Sequence, residues 1–195
     1  MHSIPLARRG YRLFSLDTSK QFLGELDAVA GDLPIQTIHA DLTEFPVHLQ
    51  AATVPLIVCM GDTLTHLPSI EAVNLLFRDA AQNLTHDGFL IVSFRDYATT
   101  ELTGSDRFIP VRSDDQRIHT CFLDYRMDTV LVHDIVHSWI DSSWQTAVSA
   151  YPKLRLHPEQ LIATAESCGL SLIHSSVVRG MLHFAFKHSP TSKTR

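Results

Sequence analysis

The sequence has few of the features that mark several classes of protein. It contains only three cysteines, Cys59, Cys121 and Cys168, with no CxxC pair, so neither a disulfide framework nor a zinc cluster is expected and a reducing cytosol is predicted. The longest apolar runs, such as FLIVSF at 89–94, are far too short to cross a bilayer, and the start of the chain lacks the apolar region of a secretory signal. A net charge of −5 argues against general nucleic-acid binding.

The composition is that of a globular protein. Hydrophobic residues make up 45% of the 195 residues and charged residues 19%, which predicts one domain over 1–195 with a substantial core. Twelve histidines are scattered along the chain, and only His133 and His137 would share one face of a strand. No third or fourth ligand is evident beside that pair, so no metal site is expected.

Short apolar segments alternate with helical patterns in the first half of the chain. The strand-like segments are 12–17, 35–41, 55–60 and 88–95. Between them, 20–30 and 69–84 carry apolar residues at helical spacing, with Ser19 (or Thr18) and Ser69 as candidate N-caps. This alternation predicts an α/β fold with a doubly wound, mostly parallel Rossmann-like sheet.

The pattern changes after residue 107. Four strand-like segments with short breaks predict an antiparallel β-meander over 107–156. A helix over 157–168 has Pro158 in its first turn, and a closing β-hairpin turns around Arg179–Gly180.

Polar residues follow the predicted parallel strands at their carboxyl ends, where open α/β sheets bind ligands. They are Asp17, Asp41, Met60-Gly61-Asp62 and Arg95-Asp96-Tyr97. A carboxylate at such a position can accept hydrogen bonds from both hydroxyls of a ribose or from an adenine amine. Each aspartate taken singly could instead cap the turn that follows it, and only their joint occurrence favours a binding site.

The order of these motifs resembles the class I S-adenosylmethionine-dependent methyltransferases of the small-molecule type. The motifs are LARRGYRLFSLDTSKQFL, IHADLTEF, LIVCMGDTLTHL, LTHDGFLIVSFRDY and KLRLHPEQLIATAESCGL. The resemblance covers nearly the whole chain and is weakest at 107–150.

The resemblance implies S-adenosylmethionine as the cofactor and assigns residues to it. Asp17, with Thr18 beside it, would bind the ribose hydroxyls, and Asp41 with the Leu42 backbone would bind the adenine edge. Met60, Gly61 and Asp62 would line the loop that faces the methionine part. His66 follows at the position of a histidine whose role is not assigned.

The resemblance also places the methyl acceptor. Asp96 and Tyr97 are the candidate catalytic residues, and the meander would cover the acceptor site. The candidate substrate-binding residues are Arg95, Tyr125, Tyr151 and Arg155, although aromatic side chains in sheets more often bury area in a core. The expected partner is a small-molecule acceptor, with no nucleic acid and no membrane, and a homodimer is left open.

The N-terminal part of the sequence departs from the motif pattern of the family. No GxGxG loop is present, and MHSIPLARRG resembles the helix that follows that loop in the family. Either Met1 is an internal methionine and roughly 30 residues, about one βα unit, are missing, or the protein is a degenerate relative that has lost the cofactor. Truncation, with compromised activity, is the favoured interpretation because Asp17, Asp41 and Gly61-Asp62 are in place. The alternatives are a non-catalytic interaction subunit and another nucleotide-binding enzyme, such as a nicotinamide oxidoreductase.

Overall fold

The computed structural model describes residues 2–189, which form two compact units. Unit 1 comprises the described residues up to Thr53, and unit 2 begins at Val54. No helix of the described residues is long and apolar enough to span a membrane. The prediction of one domain over 1–195 stays a prediction.

Unit 1 is built around one βαβ element. Its elements are α1 (Ser3–Ala7), β1 (Leu13–Asp17), α2 (Lys20–Ala30), β2 (Ile35–His39), a 3₁₀ turn (Leu42–Glu44) and α3 (Phe45–His48). β1 and β2 are parallel, with Leu13 opposite Ile35 and Asp17 opposite His39. Ser19 is the N-cap of α2 as predicted, because its Oγ accepts a hydrogen bond from the backbone N–H of Phe22 at 3.2 Å.

Unit 2 contains two four-stranded sheets. The first sheet, together with the helices that lie between its strands along the chain, comprises β3 (Val54–Cys59), α4 (Ile70–Asn83), β4 (Leu84–Phe94), α5 (Pro158–Ser167), β9 (Leu170–Val178) and β10 (Met181–His188). The strand order is β3-β4-β10-β9, in which β3 and β4 are parallel and the other pairs antiparallel. Ser69 caps α4 as predicted, since its Oγ accepts from the Ala72 N–H at 3.3 Å.

The second sheet of unit 2 is the predicted antiparallel meander. Its strands are β5 (Phe108–Ser113), β6 (Arg117–Tyr125), β7 (Thr129–Ile140) and β8 (Ser143–Leu154), paired in chain order. The mixed α/β fold, the meander and the closing hairpin are thus confirmed. The parallel pairs β1-β2 and β3-β4 belong to separate sheets, so the parallel part is divided where the sequence predicts one sheet.

The core of unit 2 lies on β4 and β10. Leu90, Val92 and Phe94 alternate along β4 and are completely buried, which is the period expected of a central strand. Phe184 and Phe186 of β10 are also buried, and Phe94 meets Phe184 edge to face with ring centroids 5.6 Å apart. This packing fixes the carboxyl end of β4, which residues 95–97 follow directly.

Candidate functional site

The two aspartates predicted in unit 1 lie at the same edge of the β1-β2 pair. Asp17 ends β1 and lies opposite His39, and Asp41 follows His39 by two residues. Asp17 is exposed, and its Oδ1 accepts a hydrogen bond from the backbone N–H of Ser19 at 2.8 Å. Parallel strands therefore bring the two carboxylates to one edge, as the sequence predicts.

Asp41 also caps the turn that follows it. Its Oδ1 accepts from the backbone N–H of Thr43 at 2.8 Å and from the Thr43 hydroxyl at 2.6 Å, while Glu44 accepts from the Asp41 N–H. The bonds from Thr43 hold the pKa of Asp41 below its usual value. Leu42 is half-buried in the same turn, and the Thr18 carbonyl lies 3.0 Å from a ring nitrogen of His39. The turn-capping role of both aspartates is therefore present in the structure.

The loop after β3 in unit 2 is held by β4. Gly61 and Asp62 adopt φ values of +80° and +71°, in the region that favours glycine. Ser93 fixes this conformation, because its hydroxyl accepts the Gly61 N–H at 2.9 Å and its carbonyl accepts the Asp62 N–H at 3.2 Å. Apart from Gly61 and its two chain neighbours, no heavy atom of the described residues lies within 4 Å of the place where a Gly61 Cβ would be, so a ligand can approach this backbone closely.

Asp62 is a buried hydrogen-bonding centre. Its Oδ1 accepts from the backbone N–H of Arg95 at 2.8 Å, and its Oδ2 accepts from the Tyr97 hydroxyl at 3.1 Å and from Lys153 Nζ at 2.5 Å. The side chains of Asp62 and Lys153 are only 7% and 11% exposed. One carboxylate thus joins the loop after β3, the segment after β4 and the strand β8.

Lys153, like Ser93, is a residue of this site that the sequence prediction missed. It pairs with Asp62, which is 91 positions away, and its ammonium lies 5.8 Å from the ring centroids of both Tyr97 and Tyr151. Its alternation with Tyr151 on β8 was a sequence signal that both side chains share one face of the meander. Burial and the negative charge of Asp62 raise the pKa of Tyr97, so this phenol remains a hydrogen-bond donor.

His66 and Tyr151 extend the site. Their rings stack with centroids 5.5 Å apart and an interplanar angle of 26°. Burial and the positive charge of Lys153 lower the pKa of His66, although Asp62 acts in the opposite direction. The imidazole is therefore biased toward its neutral form beside the charged pair.

Three further predicted residues lie in the segment after β4 or bind it. The Asp96 carboxylate accepts from the backbone N–H groups of Ala98 and Thr99 at 3.0 and 2.9 Å, and from the Thr99 hydroxyl. Arg155 donates from Nε to the Tyr97 carbonyl at 3.0 Å and lies over the Tyr125 ring at 5.6 Å. Asp96 therefore caps its own loop, and Arg155 with Tyr125 fixes that loop against the meander.

A second polar cluster lies on β6 and β7. Asp134 accepts from His119 Nε2 and from Cys121 Sγ, each at 2.9 Å, and the Tyr151 hydroxyl contributes to lowering the pKa of Asp134. Burial and the nearby Asp134 raise the pKa of Cys121 to about 12, and the same two causes raise that of Tyr151 to about 12. Tyr151 therefore lies between this cluster and the Asp62–Lys153 pair.

The comparisons with known proteins agree on one fold. No family model matches the sequence. The chain superposes on the methyltransferase CcbJ from Streptomyces caelestis with a TM-score of 0.79 and 18% identity, covering 95% of this chain and 78% of that one. It superposes on SAM-bound CalS10, an amino pentose methyltransferase from Micromonospora echinaspora, with a TM-score of 0.69 and 10% identity, covering 95% and 87%.

This chain has the fold of the S-adenosylmethionine-dependent methyltransferases. The resemblance of its motifs to this family is therefore confirmed for the fold. One curated relative, the glycine/sarcosine N-methyltransferase of Aphanothece halophytica, is 32% identical over 98 residues. That match covers 49% of this chain and 37% of the relative, so this chain spans little more than a third of the length of that protein.

Proposed function

We propose that this chain transfers a methyl group from S-adenosylmethionine to a nitrogen atom of a small-molecule acceptor. The observation that carries the proposal is the match of its fold, over nearly the whole chain, to methyltransferases, among them enzymes described as amino pentose and sugar methyltransferases. The choice of nitrogen rests on the relative's name and on the neighbours described as sugar and glycopeptide N-methyltransferases. Because the three cysteines are free thiols, we keep the reducing cytosol as the proposed compartment.

The residues of unit 1 fit the nucleoside part of the cofactor. A carboxylate has about four acceptor positions, and the bond to Ser19 uses one of those on Asp17, so a ribose diol can bind the same exposed group. Asp41 and the Leu42 backbone are proposed to contact the adenine, and Thr18 to support Asp17. The capping bonds and ligand binding are compatible, since the caps fix the direction in which each carboxylate points.

The residues of unit 2 fit a different task. Gly61 presents open backbone, and Met60 precedes it, so this loop is proposed to line the methionine part of the cofactor. Asp62 is buried by Lys153 and Tyr97, and we therefore propose that it positions this loop and does not itself contact the ligand. It is a positioning residue in this proposal.

When bound, S-adenosylmethionine would supply an electrophilic methyl group on a sulfonium, and an amine lone pair would form the new C–N bond as the C–S bond breaks and its electron pair passes to sulfur. The protein's task is to hold the acceptor in line, exclude water and let the amine lose its proton. We propose that Tyr151 and Tyr125 line the acceptor side, that Arg95 contacts the acceptor, and that Arg155 shapes the site through its backbone bonds.

Asp96 and Tyr97 stay the proposed catalytic residues, with different tasks. Tyr97 holds its proton and can donate a hydrogen bond, as it does to Asp62. Asp96 is the candidate base, and its capping bonds keep it at the end of β4.

Calorimetric titration with S-adenosylhomocysteine tests cofactor binding. We expect Asp17→Ala to abolish binding, because the ribose hydroxyls lose their acceptor. The matched control is Asp32→Ala, an exposed aspartate of unit 1 beyond the end of α2, which should bind like the parent protein. Equal loss in both variants, or undiminished binding in Asp17→Ala, would contradict the assignment of Asp17.

The contribution of a glycine-rich loop is tested with a chimera. A designed strand and GxGxG loop are joined ahead of residue 1, and both proteins are titrated. We propose that the chimera binds more tightly, since such a loop brings backbone N–H groups to the cofactor. Methyl transfer from labelled cofactor to glycine, sarcosine and amino sugars then tests the acceptor class. If neither protein binds the cofactor, the enzyme proposal fails and the interaction-subunit alternative takes its place.

A further inference from the structure

Three potential metal ligands meet on one face of the meander. His119 and Cys121 are two residues apart on β6, so their side chains project from the same face, and Asp134 lies directly opposite Cys121 on β7. Cys121 Sγ lies 3.8 Å from His119 Nε2, and Asp134 Oδ1 is 2.9 Å from each of them. One atom from each residue therefore lies within 4.8 Å of the other two.

We propose that His119, Cys121 and Asp134 form a binding site for a thiophilic divalent cation of the Zn²⁺ type. A sulfur, an imidazole nitrogen and a carboxylate oxygen make up a ligand set that suits Zn²⁺. Tetrahedral coordination at normal Zn²⁺ bond lengths needs ligand atoms about 3.3–3.6 Å apart. The present separations of 2.9 and 3.8 Å bracket that range, so shifts below 1 Å would admit the ion.

The surroundings of the cluster suit a bound cation with an open position. The side chains of His119 and Asp134 are 23% and 22% exposed, so an ion can enter from solvent. Tyr151 on β8 lies diagonally opposite Asp134, on the same face of the meander, so its hydroxyl would orient that ligand from outside the coordination sphere. Three protein ligands leave the fourth position to water, and the Cys121 thiol gives its proton to solvent as the metal–sulfur bond forms.

The opposite face of the meander supplies a matched control. His133 and His137 belong to that face of β7, where His137 bonds the Thr146 hydroxyl at 2.8 Å and His133 lies against the Phe122 ring. Sequence spacing drew attention to this histidine pair, whereas the ligands proposed here depend on the pairing of β6 with β7. The site goes beyond the proposed methyl transfer, which requires no metal.

Cobalt(II) is the probe, because thiolate ligation gives a charge-transfer absorption band. We expect the reduced, chelator-treated 195-residue chain to develop this band and saturate at one cobalt per chain, and Zn²⁺ to displace it. Cys121→Ser should remove the band, whereas Cys168→Ser, which changes a half-buried cysteine outside the cluster, should keep it. Either the absence of the band in the parent protein or its persistence in Cys121→Ser would overturn the proposal.

The other ligands are tested by affinity. His119→Ala and Asp134→Asn should weaken cobalt binding by at least about tenfold, and His133→Ala should leave it unchanged. Equal affinities for all three variants would overturn the proposed ligand set, and circular dichroism establishes that each variant is folded. Cobalt binding and S-adenosylhomocysteine binding are separate readouts, so the metal site and the proposed methyltransferase function fail or succeed independently.

Discussion

The buried Asp62 carboxylate receives bonds from donors distant in sequence, including the Lys153 ammonium. Removing one member of such a pair leaves the other charge buried without its partner, which costs about 3 kcal/mol. We therefore expect Asp62→Asn to lower the free energy of unfolding by about that amount. Urea unfolding followed by tryptophan fluorescence measures it, since both tryptophans, Trp139 and Trp144, belong to unit 2.

A double variant and a control variant test whether the unpaired charge causes this loss of stability. Asp62→Asn combined with Lys153→Met should recover part of the loss, because no charge then remains unpaired. Asp124→Asn is the control, since the Asp124 side chain is 41% exposed beside Arg107 and should change stability by less than about 1 kcal/mol. A loss in the double variant equal to the sum of the single losses would show that the pair does not act as a unit.

His66 makes the stability of unit 2 depend on pH. Folding lowers its pKa, through burial first and Lys153 second, below the unfolded value of about 6.5. Below that pH the unfolded chain binds more protons at this residue than the folded chain does. The contribution of neutral His66 to the free energy of unfolding is therefore complete above pH ~6.5 and is lost as the pH falls. The urea midpoint of the parent should therefore drop more steeply on acidification than that of His66→Gln. Parallel midpoint curves for the two proteins would contradict this role.

Local chemistry allowed some residues to be predicted and not others. Asp17 ends a strand, Asp41 and Asp62 each come after one, and all three precede a turn, as the sequence predicts. The partners of Asp62 could not be predicted, because Lys153 reaches it only through the pairing of β8 within the meander. Residues that pair over such a distance along the chain show no regular spacing from which their contact could be predicted.

At the scale of elements, Gly88 permits an irregular path in β4. The register of β4 against β3 shifts between Val54 and Leu56, and a Cβ on Gly88 would lie 2.9 Å from the Thr85 carbonyl oxygen. That contact is with backbone and cannot be relieved by a rotamer change. We expect Gly88→Ala to destabilise the protein by about 2 kcal/mol.

The matched control for Gly88→Ala is a glycine substitution that is expected to raise stability. Gly24 lies inside α2 with open space around the position of its Cβ, so Gly24→Ala should stabilise the helix by about 0.5–1 kcal/mol. Thermal unfolding followed by circular dichroism measures both variants. A stability loss of similar size in both would mean that the contact at Thr85 is not what constrains Gly88.

Periodicity predicted the elements better than their assembly. The strand-like segments 12–17, 35–41 and 55–60 match β1, β2 and β3 within two residues, because apolar runs between breakers are a local property. The division of the parallel strands between two sheets depends on which edges pair, and no local pattern records that. For the same reason the sequence could not predict that His119 and Cys121 lie beside Asp134, because this depends on the register of β6 on β7.

At the scale of the whole of unit 2, Arg155 joins the meander to the segment after β4. Its guanidinium donates to the carbonyls of Tyr97 and Arg126 at 3.0 and 2.6 Å and pairs with Glu101 at 2.6 Å. The side chain is only 13% exposed, so these acceptors would lose partners that water cannot readily replace.

Replacement of Arg155 by lysine distinguishes a structural role from acceptor binding by charge. Lysine keeps the charge but cannot donate along several fixed directions, so Arg155→Lys should lower the free energy of unfolding by about 2–3 kcal/mol. Arg112→Lys is the control, because Arg112 is exposed beside Asp114 and should change stability by less than about 0.5 kcal/mol. Urea unfolding by tryptophan fluorescence measures both variants. Unchanged stability in Arg155→Lys, with a raised KM for the acceptor, would instead assign Arg155 to substrate binding.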